Sequence, residues 1–159
     1  MSIDAYVFSD EPLSSLREWQ RAIDAERLNI VLPADGLIRE LHGFLPVDSN
    51  GVATGFECSP CDPAEIMRQY SVVDFGRAWA CCLAFYWRGD LEECLTALSA
   101  AAAYAKATGG VVFDPPDSRV TSAQQALQLA RETNRDKDKW KRVIADAIAK
   151  IERLHQPRG

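Results

Sequence analysis

The chain is poor in the residues that most often carry chemistry. Histidine occurs only as His42 and His155 among 159 residues. No G-x-S-x-G nucleophile elbow is present. Gly109-Gly110 precedes a strand-like run rather than opening a helix, which excludes a phosphate loop there. No apolar run approaches the roughly 20 residues of a membrane-spanning helix, so no membrane span is expected. Met1-Ser2-Ile3-Asp4 has neither a basic start nor an apolar signal core, and a cytoplasmic location is the expectation. Basic charge is not in excess: the net charge is −5. General nucleic-acid binding, which rests on phosphate neutralisation, is therefore not expected. There is no internal repeat, low-complexity tract or linker, so residues 1–159 read as one domain.

What is present describes a soluble α+β domain. Hydrophobic residues make up 47% and charged residues 26%, a balance that supports a core without staples. The five cysteines are an odd number. Cys81, Cys82 and Cys94 fall in apolar periodic segments, where a thiol acts as a small hydrophobe. Adjacent Cys81 and Cys82 on a strand face opposite sides and do not pair with each other, so reduced thiols are expected. The charge is uneven. Residues 1–120 carry 9 basic and 18 acidic side chains; residues 121–159 carry 9 basic and 5 acidic. An acidic body suits a basic protein partner through electrostatic steering.

The element pattern is legible along most of the chain. Asp4 to Ser9 predicts a strand, and Asp10-Glu11-Pro12 a helix start, with Leu16, Trp19 and Ile23 facing a core. Leu28 to Leu32 predicts a short strand. Leu41–Val47 and Val52–Cys58 predict a hairpin across Asn50-Gly51, a turn pair that tolerates positive φ. Gly43, Pro46 and Gly55 argue that these are edge strands or loop. Pro63 to Tyr70 predicts a short helix. Ala78 to Trp87, nearly all apolar, predicts a central strand with a bulky face (Trp79, Cys81, Leu83, Phe85, Trp87) and a small one able to receive a helix closely. Asp90 with Glu93 caps a helix that ends at Gly109. Val111–Phe113 predicts a strand and Asp114-Pro115-Pro116-Asp117 a stiff turn. Thr121 and Gln124 form a capping-box pattern. A last amphipathic helix over about 136–154 carries the stripe Trp140, Val143, Ile144, Ala147, Ile148, Ile151 and Leu154, with fraying expected beyond His155. This order implies a mixed or mainly antiparallel sheet packed with helices.

Five groups of residues are candidates for function. Cys58-Ser59-Pro60-Cys61 has the spacing of a thiol redox pair or half a zinc site. A zinc site needs a second ligand pair, which the remaining cysteines and two histidines do not supply. His42, Glu57 and Asp114 are the residues of a possible small enzyme, and Asp114, Asp117 and Arg119 share a strand-end loop, where acid, base or cation chemistry often sits. Exposed carboxylates on irregular segments, namely Asp10, Glu11, Asp48, Glu57, Asp114 and Asp117, are candidates for contact with a basic partner. Tyr6, Phe8, Phe44, Phe56, Tyr86 and Trp87 are more aromatics than the strands need, and aromatics lining a groove serve as anchors. No catalytic set, cofactor or metal is expected.

Ala5-Tyr6-Val7-Phe8-Ser9-Asp10, Gly43-Phe44-Leu45-Pro46 with Thr54-Gly55-Phe56-Glu57, and Thr108-Gly109-Gly110-Val111-Val112-Phe113-Asp114-Pro115 resemble small bacterial proteins that include immunity proteins of interbacterial toxin systems. The resemblance spans residues 4–130. It implies a binding protein that neutralises a toxin by steric or electrostatic occlusion. It transfers no residue as a contact, since immunity proteins share no fold.

Overall fold

A computed structural model describes residues 2–155. Seven strands form one sheet: β1 (Ser2–Ser9), β2 (Ile30–Val31), β3 (Phe44–Ser49), β4 (Val52–Cys61), β5 (Cys81–Arg88), β6 (Val111–Asp114) and β7 (Arg119–Ser122), in the order β2-β3-β4-β5-β1-β6-β7. Every neighbouring pair is antiparallel. The expected α+β class holds, and the sheet has no parallel pair among the described residues. Five helices complete it: α1 (Leu16–Ala25), α2 (Pro63–Gln69), α3 (Leu91–Thr108), α4 (Ala123–Arg135) and α5 (Lys137–Leu154).

β1 and β5 lie in the middle and are buried on both faces, as their apolar runs require. One face holds Val7, Leu83, Phe85 and Phe56 against α1 and α3. Here α3 supplies the small side chains: Ala97, Ala100, Ala101 and Ala105 are fully buried. The close approach predicted for the small face of β5 thus occurs on its bulky face, because the alanines of α3 leave room for Phe85 and Trp19. Trp19 Nε1 donates to the Ala100 carbonyl at 2.9 Å, which supplies a partner for a buried indole. The other face carries Tyr6, Phe8, Cys82, Ala84 and Phe113, covered by Ile66 of α2 and by Phe75.

Local chemistry moves several expected boundaries. The first helix starts at Leu16, not after Asp10. Ser15 caps it through the Glu18 N–H, and the Glu18 carboxylate reaches back to the Ser14 N–H at 3.1 Å. β5 begins at Cys81 rather than Ala78, because Trp79 Nε1 donates to the Phe75 carbonyl and Gly76 turns at φ 83°. The helix α4 is capped one residue later than expected, by Ser122 and Gln125 in a reciprocal box. The segment just before it forms β7, which the alternation of Arg119 to Ser122 left unmarked. Asp90 caps α3 as expected, whereas Glu93 accepts from the Arg88 N–H.

The hairpin turn is as predicted, with Asn50 at φ 53° and Gly51 at φ 82°, but its strands run over Phe44–Ser49 and Val52–Cys61 rather than Leu41–Val47 and Val52–Cys58. Whereas β3 keeps a free edge from Phe44 to Val47, as expected of an edge strand, β4 is interior, pairing with β3 and β5. Gly55 is tolerated there because the Phe44 ring lies over it; a Cβ would sit 2.3 Å from Phe44 Cζ. Pro46 is tolerated because β2 pairs only with Ser49 and Asp48 of β3, so Pro46 faces no strand on that side. The fraying expected beyond His155 lies outside the described residues.

Candidate functional site

The helix-poor face of the sheet is covered only in part. α2 and Phe75 protect its Cys61–Cys82 end. The other end is open, and strand register decides what it shows. Phe44 opposes Glu57 across β3 and β4, Glu57 opposes Tyr86 across β4 and β5, and Tyr86 opposes Asp4 across β5 and β1. Directly opposed residues share a face, so these four side chains form one row over four strands. Val31 and Asp48 stand opposite each other on the same face, farther along the hairpin. Phe44 is 60% exposed and Val31 59%.

The row is internally organised. Tyr6, two residues along β1 on the same side, donates its hydroxyl to Asp4 Oδ2 at 2.9 Å and lies 3.5 Å from the Tyr86 hydroxyl. Burial, then these two neighbours, push the Tyr6 phenol far above its ordinary value, so it stays a donor. A groove of about 460 Å³ runs along the margin, lined by Phe44, Glu57, Tyr86, Arg88 and Glu93 among others. Chemically this is an aromatic surface interrupted by carboxylates.

The six carboxylates expected to contact a partner do not share one surface. Asp48 and Glu57 lie on the open face, where Asp48 also accepts from the Gly51 N–H at 2.8 Å. Asp10 and Glu11 follow the far end of β1, and Asp10 is ion-paired to Arg77. Asp114 shares the helix-covered side with Val112, which belongs to the core under α3. Asp114 and Asp117 do come together, at the mouth of a cavity of about 240 Å³ that Leu95, Leu98 and Leu129 help line. Burial, then the Asp117 charge and hydrogen bond, push Asp114 up to about 6.

The enzyme residues do not converge. Glu57 and Asp114 project from opposite faces of the sheet, and His42 is exposed on the loop before β3. Nor do Cys58 and Cys61 form a pair. They are three apart on β4 and so face opposite sides; Cys58 is 1% exposed under α3. Cys61 instead stands opposite Cys82. No group of three or more metal-ligating side chains occurs among the described residues. The places of Asp4 and Val31 on this face, and the Cys61–Cys82 juxtaposition, are not legible in the sequence, because alternation assigns a side within one strand, not a neighbour across strands. Comparison with known proteins returns no match to any family model, curated protein or solved structure.

Proposed function

We propose that the chain is a non-enzymatic binding protein that occludes a basic protein partner, and that it acts as an immunity protein against a toxin domain. The observation that carries this reading is the open row Phe44, Glu57, Tyr86 and Asp4. An exposed phenylalanine, Phe44, beside the partly exposed Tyr86 on a paired sheet is suited to anchoring a partner. The interspersed carboxylates favour cationic surfaces and accelerate encounter with them. A body with 18 acidic and 9 basic side chains over residues 1–120 extends that field. The immunity role rests on the resemblance of the strings quoted above. His42, Glu57 and Asp114 stand apart, which favours binding over catalysis.

The test is affinity capture from bacterial extract with the wild type and with two surface variants, Glu57→Lys and Tyr86→Ala, at low and high salt. A single basic partner is expected to co-purify with the wild type, to weaken with salt, and to be lost on Glu57→Lys. A partner retained equally by both variants removes this face from the proposal. Capture of no protein, or of an acidic one, removes the basic-partner reading itself.

A further inference from the structure

We infer that Cys61 and Cys82 form a redox-active cross-strand dithiol, a site of reversible disulfide formation by peroxides. Cys61 is the last residue of β4 and lies directly opposite Cys82, the second residue of β5. Opposed residues of an antiparallel pair have Cα atoms about 4.5 or 5.5 Å apart. A disulfide spans Cα separations of about 4.4 to 6.8 Å. Both side chains belong to the same face, in the cluster with Phe8 and Ile66. The pair is thus placed to bridge with little backbone movement, and both thiols are free in the structure.

The two thiols are unequal in a useful way. Cys82 is 5% exposed, while Cys61 is half-buried. A hydrogen bond with Cys82 holds the Cys61 thiol below its ordinary value, against the opposing effects of burial, Asp62 and Glu65. The same hydrogen bond and burial push Cys82 well up. Cys61 is therefore the attacking thiolate and Cys82 the resolving thiol. The other three cysteines lack such a partner. Cys58 is buried on the opposite face, Cys94 lies on α3, and Cys81 points away from Cys82 with its thiol 3.5 Å from the Asp10 carbonyl.

The chemistry balances with a hydroperoxide as oxidant. The Cys61 thiolate attacks the peroxide, the O–O bond breaks, and Cys61 becomes a sulfenic acid as the alkoxide or hydroxide leaves and takes a proton. The Cys82 sulfur then attacks the Cys61 sulfur. The S–S bond forms, the S–O bond breaks, and the departing hydroxide leaves as water with the Cys82 proton. Two electrons pass from the thiols to the peroxide. A thiol reductant reverses the step by exchange. The bond joins the two ends of segment 62–81, which contains α2 and Phe75 and covers this end of the sheet. Oxidation therefore locks that cover in place.

The experiment adds equimolar hydrogen peroxide to the reduced full chain, blocks remaining thiols with N-ethylmaleimide, and maps disulfides by mass spectrometry without reduction. Free thiols are expected to fall by two from five, with one crosslink between Cys61 and Cys82 that dithiothreitol reverses. Five unreacted thiols, or a crosslink through Cys58 or Cys81, overturns the inference. Cys82→Ser is expected to accumulate a dimedone-reactive sulfenic acid at Cys61. Its absence there, with the variant folded by circular dichroism, overturns the assigned order of attack.

Discussion

At the scale of single residues, the most informative group is Asp114. Its carboxyl has a value of about 6 in the fold against an ordinary 3.8. Between those values the folded chain holds a proton that the unfolded chain has released, so stability falls as pH rises through that window. Above it, the wild type carries a half-buried charge beside Asp117. Asp114→Asn removes that charge. The variant is expected to unfold at higher urea than the wild type at about pH 7.5 and at nearly the same urea at about pH 3.5. An equal shift at both pH values would show that the residue acts through packing alone. Gly109 and Gly110 illustrate a second residue-scale rule. Gly109 ends α3 at φ 69°, whereas Gly110 leaves room for the Phe8 carbonyl, 2.1 Å from where a Cβ would sit. The pair is a stop and a close approach in succession.

At the scale of elements, α4 and α5 behave differently although both are amphipathic in sequence. Leu127 and Ala130 of α4 are buried against the domain. On α5 the described apolar side chains Val143, Ile148, Ile151 and Leu154 are all at least 51% exposed. Among the described side chains of α5, outside which Trp140 and Ile144 fall, Lys137 and Lys141 both pair with Glu92 of α3. Leu127→Ala is expected to destabilise by about 2–5 kcal/mol, as loss of a fully buried leucine does. Ile148→Ser is expected to change stability by no more than about 0.5 kcal/mol. Urea unfolding of the two variants checks this. A large loss for Ile148→Ser would mean that the α5 stripe is buried in solution.

At the scale of the molecule, one ion-pair cluster joins three helices. Glu26, just after α1, receives Lys106 of α3 and Arg131 of α4, each at 2.5 Å, and its side chain is 10% exposed. Lys106 and, to a lesser degree, Arg131 hold the Glu26 carboxyl below its ordinary value against burial. Its contribution is therefore present above the unfolded value of 4.5 and lost as pH falls through the lower folded value. Glu26→Gln is expected to lower stability at neutral pH and to flatten the acid side of the stability profile. A profile parallel to the wild type below about pH 5 would show that Glu26 is not among the groups that set acid stability.

How much of this was readable in advance follows from the range of each interaction. The α+β class, the turn at Asn50-Gly51, the cap at Asp90, the stop at Gly109, and the burial of Leu16, Trp19 and Ile23 are legible from residue order alone. These depend on contacts within a few residues or on one period. Caps at Ser15 and Ser122 were misplaced because several hydroxyls and acids sit close together, and only tertiary contacts select among them. Tertiary structure alone decided which strands are neighbours. It moved β4 from the edge to the interior, separated Cys58 from Cys61, set Cys61 against Cys82, and put Glu57 and Asp114 on opposite faces. Alternation along a strand assigns a side chain to one of two faces, but the neighbour across the strand comes from register, which the packing of the whole sheet selects.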